Sequence, residues 1–343
     1  MRDDSSMHSR RARPTLRLLS EDLTADWTSP SPRRLLNEGR LDELHPLSEL
    51  AHPIIRKAAE AFGPDAGRDN YVGPIACSTR LPLLEIKAGQ WRGGVWRDPN
   101  TDVRWLVVAG LAKGDHQDHD DFYHRVERHD AHGDSATSDR WLPSVEDNRL
   151  LKRETVARLL TTWELQIQRH VYDALNQIIC GGTAEIPIDH PLPGNNPVAT
   201  LILTIAIVRE DGYEADEVEL EVIAASQWEG SNLLWQLTLR ALISLCPPEQ
   251  GWDRFKTLFS NIAEPGYFSA RSATLSDLVS KGVLDTSVPG QHAHYAHREH
   301  LAGKTIDGKA VRALCGVHFV PTQDHEALPR CPSCDARLAE LPS

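Results

Sequence analysis

A β-hairpin is predicted by Ala199-Thr-Leu-Ile-Leu-Thr-Ile-Ala-Ile-Val208 and Glu217-Val-Glu-Leu-Glu-Val-Ile-Ala224, which are joined across Asp211-Gly212. An Asp-Gly pair between two apolar runs favours a tight turn. The second run alternates acidic and apolar residues, and successive side chains of a strand point to opposite faces. One face of this hairpin should therefore be buried and the other should face water.

A second group of strands is predicted nearer the N-terminus. Short apolar runs lie at residues 81–87, 90–97 and 103–110. Gly89 and the polar cluster at residues 98–102 supply the turns between them. We expect these three runs to form an antiparallel meander.

Helical patterns surround both groups of strands. Apolar residues recur at helical spacing, and glycine or proline marks several of the ends. The predicted helices cover residues 51–62, 154–179, 231–245, 252–259 and 273–282. Strands grouped separately from helices predict the α+β fold class.

Length and charge restrict the kind of protein. With 343 residues the chain can form two or three units, each with a core. A net charge of −12 disfavours a protein that coats nucleic acid indiscriminately, because phosphate neutralisation needs excess Lys and Arg. The sequence has neither a membrane-spanning apolar run nor a signal peptide, so we expect a cytoplasmic protein without a membrane partner.

Half of the six cysteines are concentrated near the C-terminus, at Cys315 and in Cys331-Pro-Ser-Cys334. A two-residue gap between cysteines lets one turn present both sulfurs to one ion. Thiolates together with an imidazole suit Zn²⁺ in a closed tetrahedral site. The sequence therefore predicts a structural Zn²⁺ whose ligands are His294, Cys315, Cys331 and Cys334.

The imidazole ligand is less determined than the thiolates. We favour His294 because the neighbouring Tyr295 can pack against the site. The competing histidines are His292, His297, His300 and His318. Two other interpretations are reduced cysteines among surface histidines, and disulfides, which are disfavoured because nothing indicates export.

The C-terminal motifs are His294-Tyr295, Ala313-Leu-Cys-Gly316 and Pro329-Arg-Cys-Pro-Ser-Cys334. Over residues 292–339 they resemble a short zinc-ribbon-like domain without an assigned function that recurs in high-GC Gram-positive bacteria. The resemblance implies metal binding without implying a reaction. Four protein ligands would leave no open coordination position for an activated water.

A second likeness covers residues 81–125. Its elements are Glu85-Ile-Lys-Ala-Gly-Gln-Trp-Arg92, Val95-Trp96, Trp105-Leu-Val-Val-Ala-Gly110, Lys113 and Phe122-Tyr123. With the preceding helix, this order resembles the core of the RelE/ParE toxin superfamily. Members of that superfamily are compact α+β proteins in which helices precede an antiparallel sheet.

The ribonuclease branch of this superfamily implies metal-independent cleavage of RNA, in which a ribose 2′-hydroxyl attacks the neighbouring phosphate. The implied catalytic residues are Lys87, Arg92, Lys113, His116, His119 and Tyr123. The strand cations would face the phosphate, the later lysine would add charge, and a histidine or the tyrosine would transfer the proton. The superfamily also contains gyrase-directed members without nuclease activity, so the chemistry stays open.

Structural roles compete with these catalytic ones. Lys87 and Arg92 are also consistent with solvated cross-strand partners of Glu85 or Asp102. The histidines and aspartates of residues 116–121 are compatible with a metal cluster, but acidic residues in a first helical turn need no ion.

These patterns divide the chain into four regions. We expect a flexible arm over residues 1–42, because its Arg-rich and Pro-rich composition buries little apolar surface. An α+β, toxin-like domain with a long helix follows at 43–180, and a middle domain with a β-hairpin and helices at 181–288. A zinc-ribbon-like domain occupies 289–343.

Two functions are consistent with the sequence. The first is a zinc-containing intracellular bacterial protein that binds a protein partner, for example as a subunit of a defence or regulatory assembly. The second is a RelE-like endoribonuclease toxin that acts on RNA through its N-terminal domain. Whether the protein is an enzyme is left open by the sequence.

Overall fold

A computed structural model of the protein describes residues 10–44, 46–63, 65–112, 120–131, 139–287, 290, 292–296, 311–315, 318–319 and 325–341. Helices and separate sheets confirm the α+β prediction. The chain divides into two compact units, Met1–Arg158 and Leu159–Ser343. Among the described residues, no helix combines the length and apolar character that a membrane span requires.

The first unit is built on a four-stranded sheet. Its strands, in the order β1-β4-β3-β2, are β1 (Arg13–Pro14), β2 (Leu83–Ala88), β3 (Trp91–Arg97) and β4 (Arg104–Leu111). The predicted antiparallel meander is confirmed as β2, β3 and β4. The short strand β1 pairs in parallel with β4 and makes the sheet mixed.

Residues 10–42 differ from the flexible arm that their composition predicts. They contain β1, a π-helical turn at Leu18–Asp22 and helix α1 (Ser31–Asn37). Three leucines of this segment lie in the core of the first unit: Leu18, Leu19 and Leu23. Average composition does not reveal these leucines, because three apolar residues change the mean hydropathy of the segment very little. Their packing in the core nevertheless orders the segment.

Helix α2 (Pro53–Ala61) lies against the sheet, in agreement with the predicted helix. His52 caps it, because its Nδ1 accepts a hydrogen bond from the Ile54 N–H at 3.3 Å. Gly93 allows the helix to come close. A Cβ at this position would lie 2.8 Å from Leu106 Cδ1 and 3.0 Å from Ile54 Cγ1.

Two helices follow the sheet, α3 (Phe122–Ala131) and α4 (Val145–Gln177). α4 begins well before the predicted residue 154. Ser144 and Asp147 explain the early start, because each side chain accepts a hydrogen bond from the other's backbone N–H, at 3.1 and 2.8 Å. This capping box satisfies the first N–H groups of the helix.

The buried carboxylate of Asp22 ties the N-terminal segment to the sheet. It accepts hydrogen bonds from the Arg17 guanidinium at 3.1 and 3.0 Å and from Nη2 of Arg125 in α3 at 2.6 Å. It also accepts one from the backbone N–H of Ala109 in β4 at 3.0 Å. One charge thus joins three segments that are distant in sequence.

The second unit contains a five-stranded antiparallel sheet in the order β5-β6-β7-β9-β8. Its strands are β5 (Gly182–Ile188), β6 (Ala199–Glu210), β7 (Tyr213–Ala224), β8 (Asp253–Phe255) and β9 (Leu258–Ala263). The predicted hairpin is confirmed as β6 and β7, which pair over their whole length. It is the centre of a larger sheet that is separate from the sheet of the first unit.

The helix predicted over residues 252–259 is wrong. These residues form β8, a turn and the start of β9, and Lys256 in the turn has a φ of 57°. Leu258 pairs with Glu221 and Phe259 with Leu220 of β7. The apolar residues of this short stretch fit either a helix or a hairpin, and pairing with β7 decides between them.

Helices cover one face of the five-stranded sheet. They are the C-terminal half of α4, α5 (Asn232–Leu245) and α6 (Tyr267–Lys281), which begins before the predicted residue 273. Buried α4 residues of this core include Trp163, Ile167, Val171 and Leu175. The other face of β7 carries Glu217, Glu219 and Glu221, as the sequence alternation predicts.

The C-terminal region has short elements. They are the paired strands β10 (Val311–Arg312) and β11 (His318–Phe319) and helix α7 (Pro332–Ala339). Two isolated bridges connect this region further, Ala293 with Arg330 and Ala296 with Ala313.

Replacing Asp22 by Ala is expected to destabilise the first unit by about 3 kcal/mol. The substitution removes the buried carboxylate with which Arg17 and Arg125 pair, and leaves both guanidinium groups without that partner. Urea unfolding followed by tryptophan fluorescence measures the change, and hydrogen exchange of residues 10–23 should rise. The control is Asp277→Ala, which removes an exposed pair with Lys281 at 2.7 Å and should cost less than about 0.5 kcal/mol. Equal effects of the two substitutions would contradict the anchoring role of Asp22.

Candidate metal centre

Four side chains near the C-terminus bring their donor atoms together: His294, Cys315, Cys331 and Cys334. Their ligand atoms all lie within 4.8 Å of one another. The three cysteines are buried and His294 is partly buried. This group could hold a metal ion.

The distances fit a tetrahedral ion. Nδ1 of His294 lies 3.3 Å from Sγ of Cys315 and 3.7 Å from Sγ of Cys334. Metal–sulfur and metal–nitrogen bonds of about 2.3 and 2.0 Å imply roughly 3.5 to 3.8 Å between neighbouring ligands of a tetrahedron. The cluster is therefore close to the size that a four-coordinate metal requires.

Backbone pairing places His294 between the two cysteine segments. On one side, the Cys331 N–H donates to the Ala293 carbonyl at 2.9 Å. On the other, the Leu314 N–H donates to the Tyr295 carbonyl at 2.7 Å. The residues on either side of His294 thus hold the segments of Cys331 and Cys315, and all three donors meet.

The start of helix α7 presents the thiols of Cys331 and Cys334. Cys331 is its N-cap residue, Pro332 occupies the first turn, and Cys334 follows in the same turn. Proline fits the first turn of a helix because the N–H that it lacks has no intrahelical partner there. The positive end of the helix dipole favours thiolates at these positions.

The protonation of the donors suits metal binding. Burial opposes ionisation of Cys331, but the backbone N–H groups of Cys334 and Ser333 outweigh it, and the pKa of Cys331 falls below its ordinary value. Burial, helped by the charge of His292, lowers the pKa of His294. A thiolate and a neutral imidazole are the forms in which these side chains bind metals.

The structure places His294, and not the exposed His292, at the donor cluster. Of the other competing histidines, His297 and His300 lie outside the described residues. Only the backbone is described for His318.

The implied catalytic residues are brought together in part. Lys87 and Arg92 are cross-strand neighbours on β2 and β3, and both approach Glu85 Oε1, with Lys87 Nζ at 3.5 Å and Arg92 Nε at 3.8 Å. The Tyr123 hydroxyl of α3 donates a hydrogen bond to the same oxygen. The other three, Lys113, His116 and His119, lie outside the described residues.

Glu85 is the member of this group that the sequence interpretation treated only as a structural partner. Its position two residues before Lys87 puts both side chains on one face of β2, which is the signal that could have identified it. Asp102, the other proposed partner, instead pairs with Arg97 and with Arg104. The group of Glu85, Lys87, Arg92 and Tyr123 is called the Glu85 cluster below.

The Glu85 cluster should give stability a specific pH dependence. Burial, and then the hydrogen bond to the Glu85 carboxylate, raise the pKa of Tyr123. A raised tyrosine pKa stabilises the folded state below the ordinary value of about 10, and this stabilisation is lost as pH rises further. We expect Tyr123→Phe to lower the urea midpoint at pH 7 to 9, and the difference from the parent chain to shrink above about pH 10. Glu85→Gln should shift this loss of stabilisation to a lower pH. If the difference in urea midpoint between Tyr123→Phe and the parent chain instead grew with pH, the assignment would be contradicted.

A protein family matches the C-terminal part of the chain. The family, described as "Protein of unknown function (DUF3039)", matches residues 287–341, which include all four donors of the metal centre. No curated protein and no solved structure matches the chain. The family match thus concerns the metal centre, and the likeness of residues 81–125 to RelE/ParE toxins stays a prediction.

Proposed function

We propose that the protein is an intracellular bacterial interaction protein whose C-terminal region is folded around one structural Zn²⁺. The observation that carries the proposal is the set of four protein donors within 4.8 Å of one another. The partner is a protein, and the chain acts as a subunit of a defence or regulatory assembly.

The donor set favours zinc and a structural role. Three thiolates and one imidazole in a tetrahedral arrangement are typical of structural zinc sites. Catalytic zinc sites keep one position for water or substrate, whereas four protein donors would fill this one. The metal would therefore shape a surface and would not activate a substrate.

Charge and cysteine chemistry support a protein partner inside the cell. The net charge of −12 and the exposed or half-buried glutamates of β7 disfavour general nucleic-acid binding. No disulfide joins any of the six cysteines in the structure, which suits a reducing compartment.

The metal is tested by elemental analysis of the purified chain, which should contain about one zinc per molecule. Cys331→Ser should lose the zinc and speed hydrogen exchange in residues 311–315 and 331–339, because metal binding and folding are coupled in small zinc modules. The control is Cys180→Ser, which removes an exposed thiol and should keep the metal. A metal-free preparation with the same slow exchange would contradict the proposal.

The Glu85 cluster favours a second candidate function, cleavage of RNA by the first unit. The Glu85 and Arg92 side chains are 11% and 19% exposed, whereas the Lys87 side chain is exposed at the surface of the sheet. Such a group has the components that metal-independent cleavage requires, namely a carboxylate base, positive charge for the phosphate and a hydroxyl that keeps its proton.

The geometry of the Glu85 cluster supports one assignment of roles. Glu85 would take the proton of the ribose 2′-hydroxyl while the 2′-oxygen attacks phosphorus and the bond to the 5′-oxygen breaks. Lys87 and Arg92 would stabilise the charge that develops on the phosphate oxygens. Tyr123, which like any tyrosine is protonated near neutral pH, would donate a proton to the leaving oxygen.

Induced expression in cells tests this second function. The parent chain should slow growth and fragment transcripts, whereas Lys87→Ala/Arg92→Ala should do neither. Arg97→Ala is the matched control, because it removes a cation of the same sheet that pairs with Asp102 outside the cluster. Normal growth with intact transcripts in all three cultures would remove the nuclease candidate and leave the interaction protein.

A further inference from the structure

A groove on the second unit lies apart from the metal-centre residues. Its volume is about 690 Å³, and it is bordered by the end of β7, the first half of α5 and the turn between β8 and β9. Its larger apolar lining residues are Val222, Ile223, Leu234, Trp235 and Phe259. Trp235 is 53% exposed and Ile223 is 47% exposed.

A further aromatic side chain stands beside the groove. Phe255 is 70% exposed, and the centre of its ring lies 5.4 Å from Nζ of Lys256, which lines the groove. Exposed tryptophan, phenylalanine and isoleucine gathered at one place mark an interaction surface, because aromatic residues are enriched where proteins bind one another.

The walls of the groove are held in place before any partner arrives. The N-cap residue Ser231 accepts a hydrogen bond from the Leu234 N–H at 3.1 Å and fixes the start of α5. The Thr257 carbonyl accepts one from the Val222 N–H at 2.9 Å and fixes the β8–β9 turn against β7. A rigid surface loses little conformational freedom on binding.

The charges of the groove have both signs. Arg254 and Lys256 contribute positive charge, and the Arg254 guanidinium lies 5.4 Å from the centre of the Phe259 ring. Glu221 and Glu229 contribute negative charge. Within the described ranges, no ion pair joins either carboxylate to a cation of the groove.

This arrangement is complementary to itself. A partner of one charge sign would be attracted to two of these residues and repelled by the other two. A second copy of the chain, related by a twofold axis through the groove, would place its cations on the carboxylates and its carboxylates on the cations. The exposed aromatic side chains of both copies would be covered in the same contact.

We propose that this groove is the twofold interface of a homodimer, in which Arg254 of each copy pairs with Glu229 of the other and Lys256 of each copy pairs with Glu221 of the other. The interface uses none of the metal-centre residues. Its test is therefore independent of the zinc proposal.

The oligomeric state of the full chain tests the proposal by sedimentation at concentrations up to about 100 μM, which detects a dimer with a micromolar Kd. The parent chain should be a dimer. Trp235→Ala should raise the Kd about 30-fold, as expected for an exposed tryptophan at the centre of an interface. Circular dichroism checks that each variant is folded.

A charge-swap experiment identifies the pairing. Glu229→Arg alone and Arg254→Glu alone should each be monomeric, because like charges would meet twice in either homodimer. Mixing the two variants should restore a dimer, because every contact then joins opposite charges. The control, Glu185→Arg, changes an exposed carboxylate of β5 at the other edge of the sheet and should stay dimeric.

Several outcomes would overturn the proposal. A parent chain that is monomeric throughout the concentration range has no such interface. A dimer that survives Trp235→Ala and both charge reversals uses another surface. Two monomeric variants that do not recombine would show that the groove does not pair with itself.

Discussion

Four donor atoms within 4.8 Å of one another are the constraint on which the C-terminal region depends. Among the residues that the structure describes there, the buried side chains are Val311, Ala313 and the three cysteines, and Tyr295 and Leu314 are partly buried around them. One valine, one alanine and three cysteines remove much less apolar surface from water than a folded domain requires. Metal binding by such donors contributes on the order of 10 kcal/mol in small zinc modules, so coordination would do here what a hydrophobic core does elsewhere.

Two of the buried carboxylates in the first unit, those of Asp22 and Glu85, have different surroundings. Asp22 accepts four hydrogen bonds from groups fixed in three segments, and its side chain is 1% exposed. Glu85 faces Lys87, whose side chain is 43% exposed, across 3.5 Å. Asp22 has no capacity left for a ligand, whereas an anion could reach the cations around Glu85. The difference separates a structural carboxylate from a candidate functional one.

Elements that depend on local pattern could be predicted from the sequence. The alternation of side chains and the Asp211-Gly212 turn predict the strands β6 and β7. The spacing of Cys331-Pro-Ser-Cys334 predicts a pair of metal ligands. Elements that depend on a distant partner could not. Strand β1 exists because β4 is beside it. Residues 258 and 259 are in a strand because β7 pairs with β9, and β8 pairs in turn with β9. The Glu85 cluster likewise needs Tyr123 from a later helix.

Net charge and local charge act on different length scales in this protein. A charge of −12 repels a second copy at a distance, but salt screens it beyond about 8 Å at physiological ionic strength. Contacts across a groove act over a few ångströms. At that distance the individual charges of Arg254 and Glu229 matter more than the net charge of the chain. An acidic chain can therefore associate with itself where both signs are exposed beside apolar side chains. The groove, the metal centre and the Glu85 cluster share no residue, so each can be removed by substitution while the other two stay intact.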